Sequence, residues 1–288
     1  MKVARSPHEL GGGPRAVALG TFDGVHLGHR RVIETALEAG PEPTVVTFDP
    51  HPRTAFGNRV ELLTTLDRRL ELLEELGVEA ALVVEFTLEL ARLEPEQFAE
   101  EVLRPIGAEI VVAGADFRFG HGRKGDLELL GSLGFDVRPV PLLEGVSSSA
   151  IRDLVRAGDV EGAAKLLGRP VEVEGTVVAG EARGGTLGFP TANLDVRPDL
   201  LVSGNGIYAG AAAGHRAAVS IGTNPHYGGH ERRIEAHLLD FSGDLYGQRL
   251  VVELWRRLRD EQAFETENDL IRQIAADVEL ARQAEPPA

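Results

Sequence analysis

The first half of the chain alternates short apolar runs with longer segments in which apolar residues recur every three or four positions. The apolar runs predict β-strands, at residues 16–19, 44–48, 81–84, 110–113 and 136–140. The segments between them predict amphipathic helices, among them 29–38, 67–76, 96–103 and 127–133. Because strands that alternate with helices form parallel sheets with crossover helices, this half predicts an α/β domain.

The second half has a different pattern, in which short β-like apolar runs are separated by glycine. These runs lie at residues 171–178, 206–212, 217–221, 233–240 and 250–258. Closely spaced strands without intervening helices predict an antiparallel barrel. A last amphipathic segment, 267–282, predicts a helix packed on the barrel through one apolar face, made of Leu270, Ile271, Ile274 and Val278. The junction is expected within 158–169, itself partly a short helix over 160–167, which gives domains 1–160 and 161–288.

Composition narrows the class of protein. Of the 288 residues, 43% are hydrophobic, which is ample for two ordinary cores. The absence of cysteine excludes disulfides, zinc–thiolate sites and thiol nucleophiles, and is compatible with a reducing compartment. The N-terminus lacks the apolar core of a signal peptide and no apolar run is long enough for a membrane span, so we expect a cytoplasmic protein. A net charge of -15 opposes general binding to nucleic acid or anionic membranes, although local arginine clusters can still bind phosphate and small anionic ligands remain possible.

One short segment carries the strongest chemical signal. Residues 20–29, GTFDGVHLGH, follow the predicted strand 16–19 and lead into a helix. The first turn of that helix is expected to present His26 and His29 on one face, beside backbone N–H groups and the positive end of the helix dipole. The glycines of the segment let a ligand approach the backbone closely. The pattern predicts a site for nucleotide phosphates, and the alternative is a glycine-rich turn with structural histidines.

Three further segments follow predicted strands or precede a predicted helix. Because ligands bind beyond the carboxyl ends of parallel strands, the loops 49–52 (DPHP) and 114–120 (GADFRFG) are expected to share an edge with residues 20–29. The second loop, together with Arg123 and Lys124, could supply a carboxylate, basic groups and aromatic faces to a flat ligand. In 147–152 (SSSAIR), hydroxyl groups precede a helix with an arginine one turn inside. Taken singly, each could be an ordinary turn or helix cap.

Taken in order, these segments resemble the motifs of the bacterial bifunctional riboflavin kinase/FMN adenylyltransferase family, also called prokaryotic FAD synthetases. The first-half matches are residues 20–29, 47–52, 114–120 and 148–152. The second half continues the resemblance with LGFPTANL (187–194), GIY (206–208), IGTNP (221–225), EAHLLDF (235–241), LYG (245–247) and LRDE (258–261). The resemblance covers almost the whole chain.

The resemblance implies an α/β plus β architecture. An N-terminal nucleotidyltransferase-type, Rossmann-like domain would transfer AMP from ATP to FMN, and a C-terminal six-stranded antiparallel riboflavin-kinase barrel with a terminal helix would phosphorylate riboflavin. The implied cofactor is Mg²⁺, with ATP as co-substrate and riboflavin, FMN and FAD as substrates and products. The implied partners are these small molecules, with no nucleic acid and no membrane, and the protein is expected to be a monomer or a weak homo-oligomer.

The resemblance also implies roles for individual residues. His26 and His29 would serve the ATP phosphates and the transition state of adenylyl transfer, and Glu235 would be the general base of the kinase. The other implied nucleotide-binding residues are Gly20, Phe22, Gly24, Ser148, Ser149, Arg152, Gly188, Pro190, Thr191 and Asn193. The implied flavin-binding residues are Pro50, His51, Asp116, Phe117 and Arg259. Thr191 and Asn193 would also hold Mg²⁺, which favours oxygen ligands; without the resemblance, they indicate only a β-turn and Glu235 only a solvated strand residue.

The chain departs from the family pattern at a few positions. Gly185 stands where many members have arginine, His226 where threonine is usual, and Ser149-Ala150 where Thr-Arg is common. These departures concern kinase efficiency and leave two alternatives: an FMN adenylyltransferase with a weakened kinase, or a non-catalytic flavin-binding regulator. Another nucleotidyltransferase substrate, such as a pantetheine phosphate, would explain residues 20–29 but not the second half.

Overall fold

The computed structural model describes residues 1–180, 183–223 and 232–287. The chain divides into two compact units, Met1–Ser148 and Ser149–Ala288. The domain boundary expected near residue 160 stays a prediction. Within the described residues, no helix is both long and apolar enough to cross a lipid bilayer.

The first unit is built on a six-stranded sheet in which every recorded pairing is parallel. Its strands are β1 (Lys2–Ala4), β2 (Arg15–Leu19), β3 (Thr44–Asp49), β4 (Ala80–Glu85), β5 (Ala108–Gly114) and β6 (Asp136–Val140). They lie in the order β1-β4-β3-β2-β5-β6. All five residues of β2 are buried, as expected for a central strand covered on both faces. The predicted α/β domain is therefore confirmed.

Helices cover both faces of this sheet. They are α1 (Pro7–Leu10), α2 (Leu27–Ala39), α3 (Leu66–Glu75), α4 (Pro95–Phe98) and α5 (Leu127–Ser132), with 3₁₀ turns at Thr54–Phe56, Leu90–Arg92 and His121–Arg123 and a π-helical turn at Ala99–Leu103. On one face, Ala18 of β2 packs in a core with Ile33 of α2 and Leu73 of α3. On the other, Leu19 packs in a core with Phe98 and Leu103. Successive residues of β2 thus face opposite layers, which fixes the strand's register.

The second unit is a closed antiparallel barrel with flanking helices. Its helices are α6 (Ser148–Ala157), α7 (Val160–Leu167), α8 (Arg183–Thr186) and α9 (Glu267–Gln283). Its strands are β7 (Val171–Val178), β8 (Ala192–Asp195), β9 (Gly206–Ala212), β10 (His215–Thr223), β11 (Arg232–Leu238) and β12 (Arg249–Arg259), in the closed order β10-β11-β8-β7-β12-β9. The six-stranded antiparallel barrel with its terminal helix is therefore confirmed.

Strand β11 shows how the barrel separates its core from its ligand-accessible face. Ile234, Ala236 and Leu238 are buried, whereas the residues between them are only half-buried. Side chains two positions apart lie on the same face of a strand, so Glu235 and His237 share the face away from the buried set. That face is the one on which the candidate kinase residues lie.

Candidate active sites

The turn after β2 is shaped by backbone conformations that few residues adopt. Phe22, Gly24 and Val25 have φ angles of 54°, 85° and 39°, all in the left-handed region. At Gly24 a Cβ atom would also lie 2.7 Å from Leu63 Cδ1 and 3.1 Å from Leu63 Cβ, so both space and conformation favour glycine there. This turn brings the chain to the start of α2 at the carboxyl edge of the sheet.

His26 and His29 form a stacked pair at that helix start. Their ring centroids are 3.6 Å apart with an interplanar angle of 15°, and Phe22 meets His29 edge-on at 5.3 Å. His26 precedes the helix as its N-cap, where its Nδ1 accepts a hydrogen bond from His29 N at 3.2 Å. The expectation that both histidines belong to the first helical turn is corrected by this cap. Because Nδ1 is an acceptor, a neutral His26 carries its proton on Nε2.

Asp23 ties this turn to a distant loop, and the sequence analysis assigned it no role. Its carboxylate is buried and accepts hydrogen bonds from Leu63 N at 2.9 Å and Thr64 N at 3.1 Å. The Asp23 carbonyl oxygen accepts a further bond from Ser148 Oγ at 3.1 Å. Gly24 N donates to Thr64 Oγ1 at 3.1 Å. The turn that holds the histidines is therefore fixed by buried hydrogen bonds, and Gly20 and Phe22 lie within it.

The predicted flavin residues Pro50 and His51 follow β3, the neighbour of β2. Pro50 is exposed and joined to Asp49 by a cis peptide bond, and His51 is half-buried with Nδ1 accepting from Arg53 N at 3.2 Å. The end of β3 is held by Arg69 of α3, whose guanidinium donates to Phe48 O at 3.1 Å.

Arg69 is 1% exposed, and burial lowers its pKa, an effect that the charges of Asp23 and Asp49 partly oppose. Arg69 was not among the predicted site residues, although the sequence carries a signal for it. Arg69 stands three residues after Leu66 and three and four before Leu72 and Leu73, which places an arginine on the apolar face of the helix.

Asp116 and Phe117 follow β5, the other neighbour of β2. Asp116 is exposed, and Phe117 is half-buried with its ring stacked on Phe119 at 6.0 Å. Arg123 and Lys124 lie in the following loop, and Lys124 pairs with Glu94 at 3.2 Å. The structure thus brings the three predicted loops to the carboxyl ends of three adjacent strands, β3, β2 and β5.

Ser149 and Arg152, two of the predicted phosphate-binding residues, lie on α6 and belong to the second unit. Ser149 is exposed and Arg152 is 8% exposed. Their role toward ATP stays a prediction.

The second unit contains a cavity of about 270 Å³ between the barrel and α9. One part of its wall carries the polar residues Thr191, Asn193 and Glu235, and α9 contributes the apolar residues Leu270, Ile274 and Val278. The cavity also includes Arg259, Glu261 and Phe264. A polar end beside an apolar wall suits a flat ring that carries a polar chain.

Glu235 is held within this cavity by two neighbours. It pairs with Asn193 in the antiparallel register of β11 and β8, which brings the predicted base and a predicted metal ligand together. Its Oε1 lies 2.5 Å from Arg233 Nη2, and the Glu235 side chain is 23% exposed. Arg233 was not among the predicted site residues, although it stands two positions before Glu235 and so shares its face of the strand.

Thr191 and Asn193 fit a magnesium–nucleotide complex by their donor chemistry. A hydroxyl and an amide oxygen line the same cavity wall, and Mg²⁺ favours oxygen ligands that leave room for water and phosphate. Gly188, with a φ of 89°, and Pro190 lie in the turn that leads to Thr191. Among the described residues, no group of three histidine, cysteine or acidic side chains could hold a metal ion. A metal here would therefore depend on the nucleotide phosphates for most of its negatively charged ligands.

Arg259 is oriented by a buried carboxylate on α9. Its Nε lies 3.0 Å from Asp277 Oδ1 and its Nη2 lies 2.7 Å from Oδ2, and Asp277 is 3% exposed. Gln273 Nε2 also donates to Asp277 Oδ1 at 3.0 Å. Asp277 was not predicted, although it stands on the face defined by Leu270 and Ile274.

Some positions singled out from the sequence cannot be placed. Asn224, Pro225 and His226 lie outside the described residues. Gly185 is described, is exposed, and a Cβ atom there would meet nothing within 4 Å.

Comparisons with known proteins agree with this two-part geometry. Residues 12–150 match the family model for FAD synthetase, and residues 167–285 match that for riboflavin kinase. A relative from Listeria monocytogenes, named bifunctional riboflavin kinase/FMN adenylyltransferase, is 35% identical over 93% of this chain and 91% of its own. The Escherichia coli K12 protein of that name is also 35% identical, over 98% and 97%.

A solved structure has the same fold along nearly the whole chain. It is described as a macrolide-efflux protein from Streptococcus pneumoniae, is 31% identical, covers 98% of this chain and 99% of its own, and gives a TM-score of 0.88. The curated relatives cover both units of this chain at more than 30% identity. The chain belongs to the family of bifunctional riboflavin kinase/FMN adenylyltransferases.

Proposed function

We propose that this chain performs both steps of flavin cofactor synthesis. Riboflavin and ATP give FMN and ADP in the barrel unit, and FMN and ATP give FAD and pyrophosphate in the parallel-sheet unit. One observation carries the proposal: the two halves of the chain match separate family models, and each matched segment contains candidate residues for the corresponding reaction. His26 and His29 lie in the first segment, and Thr191, Asn193 and Glu235 in the second.

In the adenylyl transfer, a phosphate oxygen of FMN attacks the α-phosphorus of ATP, and the bond to the β-phosphate breaks. Negative charge builds on the leaving pyrophosphate, so the step requires positioned donors rather than a covalent enzyme intermediate. His26, whose neutral form carries its proton on Nε2, and His29 beside it would donate to these oxygens. Gly20, Phe22 and Gly24 would let the nucleotide approach the turn, and Ser148, Ser149 and Arg152 would hold phosphate. Pro50, His51, Asp116 and Phe117 would bind the flavin.

In the kinase step, the terminal ribityl hydroxyl of riboflavin attacks the γ-phosphorus of ATP, the bond to the β-phosphate oxygen breaks, and ADP leaves. Glu235 would take the proton of that hydroxyl, which requires a carboxylate within hydrogen-bond reach. Thr191 and Asn193 would hold Mg²⁺, whose charge would offset that of the phosphates. Gly188 and Pro190 would shape the turn against the nucleotide. Arg259 would bind the flavin, with its guanidinium oriented by Asp277.

We also propose that the protein acts in the cytoplasm as a monomer or a weak homo-oligomer. Its partners would be riboflavin, FMN and ATP, with no nucleic acid and no membrane. The net charge of -15 and the lack of cysteine support this view.

The test is to incubate the pure protein with ATP, Mg²⁺ and riboflavin, and to separate the flavins by chromatography. Both FMN and FAD should appear, and supplying FMN directly should give FAD and pyrophosphate. If neither product forms, the proposal fails and a flavin-binding regulator becomes the better explanation. FAD from FMN with little FMN from riboflavin would instead favour the weakened kinase suggested by Gly185 and His226.

A further inference from the structure

His237 lies in the kinase cavity two residues after Glu235 and has no part in the proposed reaction steps. It shares the half-buried face of β11 with Glu235 and belongs to the cavity lining. Its Nδ1 is 2.8 Å from the carbonyl oxygen of Pro190, and its ring meets Phe189 edge-on with centroids 5.6 Å apart. Both contacts go to the two residues that precede Thr191.

The hydrogen bond has a defined direction. A carbonyl oxygen only accepts, so Nδ1 of His237 carries the proton and donates to Pro190. The bond therefore depends on a donor atom at one position of the side chain, and a residue with a donor at that position could replace the imidazole.

The turn that receives this bond needs a restraint from the barrel. The recorded pairing of β8 with β11 consists of Asn193 with Glu235 and Ala192 with Ala236, and β8 begins at Ala192. Thr191 thus lies just beyond the ladder. The preceding turn closes on itself through Phe189 N, which donates to Gly184 O at 2.8 Å. Such a closed turn can still move as a rigid unit relative to Glu235, the proposed general base.

We propose that His237 is a positioning residue of the kinase site, which fixes the Phe189–Thr191 turn, and hence the proposed metal ligand Thr191, against Glu235. It acts through its hydrogen bond to Pro190 O, while the ring contact with Phe189 is secondary. Its loss should weaken productive binding of the magnesium–nucleotide complex and leave riboflavin binding almost unchanged. This inference rests on the proposed kinase function.

Two substitutions separate the two contacts of His237. His237→Asn keeps a donor where Nδ1 stands and loses the ring, whereas His237→Phe keeps a ring and loses the donor. His215 supplies a matched control, because its Nδ1 lies 3.2 Å from Leu239 O and its ring meets Phe241 edge-on at 5.2 Å, outside the cavity lining. His215→Phe therefore removes the same kind of bond from the same barrel at a place remote from the turn.

The experiment measures kcat and KM for ATP and for riboflavin in FMN formation, and the affinity of the kinase site for Mg²⁺–ADP as its inhibition constant against ATP in that same step. His237→Phe should raise the KM for ATP and weaken Mg²⁺–ADP binding at least about fivefold, in line with the loss of one hydrogen bond. The KM for riboflavin should change less than twofold. His237→Asn should stay within about twofold of the native protein, as should His215→Phe.

Other results would overturn the inference. If His237→Asn is impaired as much as His237→Phe, if both KM values rise together, or if His215→Phe gives the same loss, then His237 does not position the turn through its donor. FAD formation from FMN reports whether each variant is folded and active in the other unit. A native protein that makes no FMN would refute the proposed kinase itself, whereas a native protein that makes FMN with unchanged variants would refute only the role of His237.

Discussion

His26 and His29 combine a structural and a proposed chemical role within one turn. The Nδ1 atom of His26 caps α2 by accepting from His29 N, and the two rings stack at 3.6 Å. A cap is worth about 1 kcal/mol when its side chain is removed, so substitution of His26 would mix folding with chemistry. His29 gives the cleaner test, because its backbone rather than its side chain makes the cap.

His29→Ala should reduce FAD formation from FMN about 100-fold or more, the usual cost of losing one donor to a transition state. The cap from His26 to the backbone at position 29 is kept, so the helix should remain. FMN formation from riboflavin should stay within about twofold, because Glu235 and its neighbours lie in the other unit. Chromatography of the flavins with each substrate measures both steps. Loss of both activities in a folded protein would contradict the two-site assignment.

Glu235→Gln should have the converse effect. An amide keeps the size of the side chain but cannot take the proton of the ribityl hydroxyl, so FMN formation should fall about 100-fold or more. Arg233, 2.5 Å from Glu235 in the native protein, would then lose this anionic partner. FAD formation from supplied FMN is the internal control and should be unchanged. If the Glu235→Gln variant forms FMN at the native rate, Glu235 is excluded as the base.

At the residue scale, the sequence predicted side chains that act at the ends of strands and missed those that hold them. His26, His51 and Asp116 follow predicted strands, so their edge of the sheet could be inferred before the structure was known. The structural role of Asp23 could not be inferred from the sequence, because its hydrogen-bond partners Leu63 and Thr64 lie about 40 positions away. Pairings over such distances are set by packing and leave no periodic trace in the sequence.

The helix α9 is attached to the barrel by an ion pair between a buried aspartate and a partly exposed arginine. Asp277, with its side chain 4% exposed, accepts from Arg259 of β12 with distances of 2.7 to 3.2 Å. Removal of Asp277 leaves the Arg259 guanidinium, whose side chain is 21% exposed, without its charged hydrogen-bond acceptor. Asp277→Ala should therefore lower the free energy of unfolding of the barrel by about 2 kcal/mol. The single tryptophan, Trp255, lies in this unit, so its fluorescence in urea reports the loss.

A double variant separates stability from flavin binding. Arg259→Met with Asp277→Leu removes both charges, and replacement of a buried pair by apolar residues is often neutral for stability, within about 1 kcal/mol. Its urea transition should return toward the native one, yet riboflavin binding should stay weak because Arg259 is gone. Recovery of riboflavin affinity together with stability would show that Arg259 has no flavin role.

The end of α9 is attached by a second, exposed pair that should depend on pH. The Arg282 guanidinium donates to Asp240 at 2.5 and 3.1 Å, and this hydrogen bond is the main cause that holds the pKa of Asp240 below its ordinary value. A lowered pKa in the folded state means that the pair stabilises the protein above the unfolded pKa, near 3.8, and that this contribution is lost as the pH falls through the folded pKa.

The matching experiment compares the native protein with Asp240→Asn. The native protein should have the higher urea midpoint above about pH 5, and the difference should vanish as acid protonates Asp240. The difference should also shrink in molar salt, since exposed pairs are screened. A difference that persists at the acid end would assign the effect to something other than this carboxylate.

At the element scale, the length of each helix or strand and the regularity of its apolar positions decided whether it could be predicted. The strands β2 to β6 and the helices α2, α3 and α9 have enough residues for a clear period. Strand β1 has three residues and forms by pairing with β4 at the sheet edge. Strand β8, Ala192–Asp195, has little β-forming composition, and it forms because β7 and β11 pair with it on either side and close the barrel.

At the scale of the whole molecule, the spacing of apolar runs changes near the middle of the chain, and this change correctly predicted two architectures. A parallel sheet needs crossover helices, and an antiparallel barrel does not, so the spacing of apolar runs alone separates them. The compact units divide at Ser148, and the domain boundary expected near residue 160 stays a prediction. The helices from Ser148 to Leu167 are amphipathic and could pack on either architecture.

One reaction is assigned to each unit. Two variants, each inactive in a different step, should therefore complete both steps when they are mixed. His29→Ala keeps the kinase residues and Glu235→Gln keeps the adenylyltransferase residues, and the named residues of the two steps do not overlap. A mixture of the two variants, given riboflavin, ATP and Mg²⁺, should make FAD although neither variant does so alone. FMN must then pass through solution, so FAD should appear after a lag that shortens as the kinase-competent variant is increased. A time course of both flavins measures this lag, and a mixture that accumulates FMN without FAD would show that the second step requires FMN made by the same molecule.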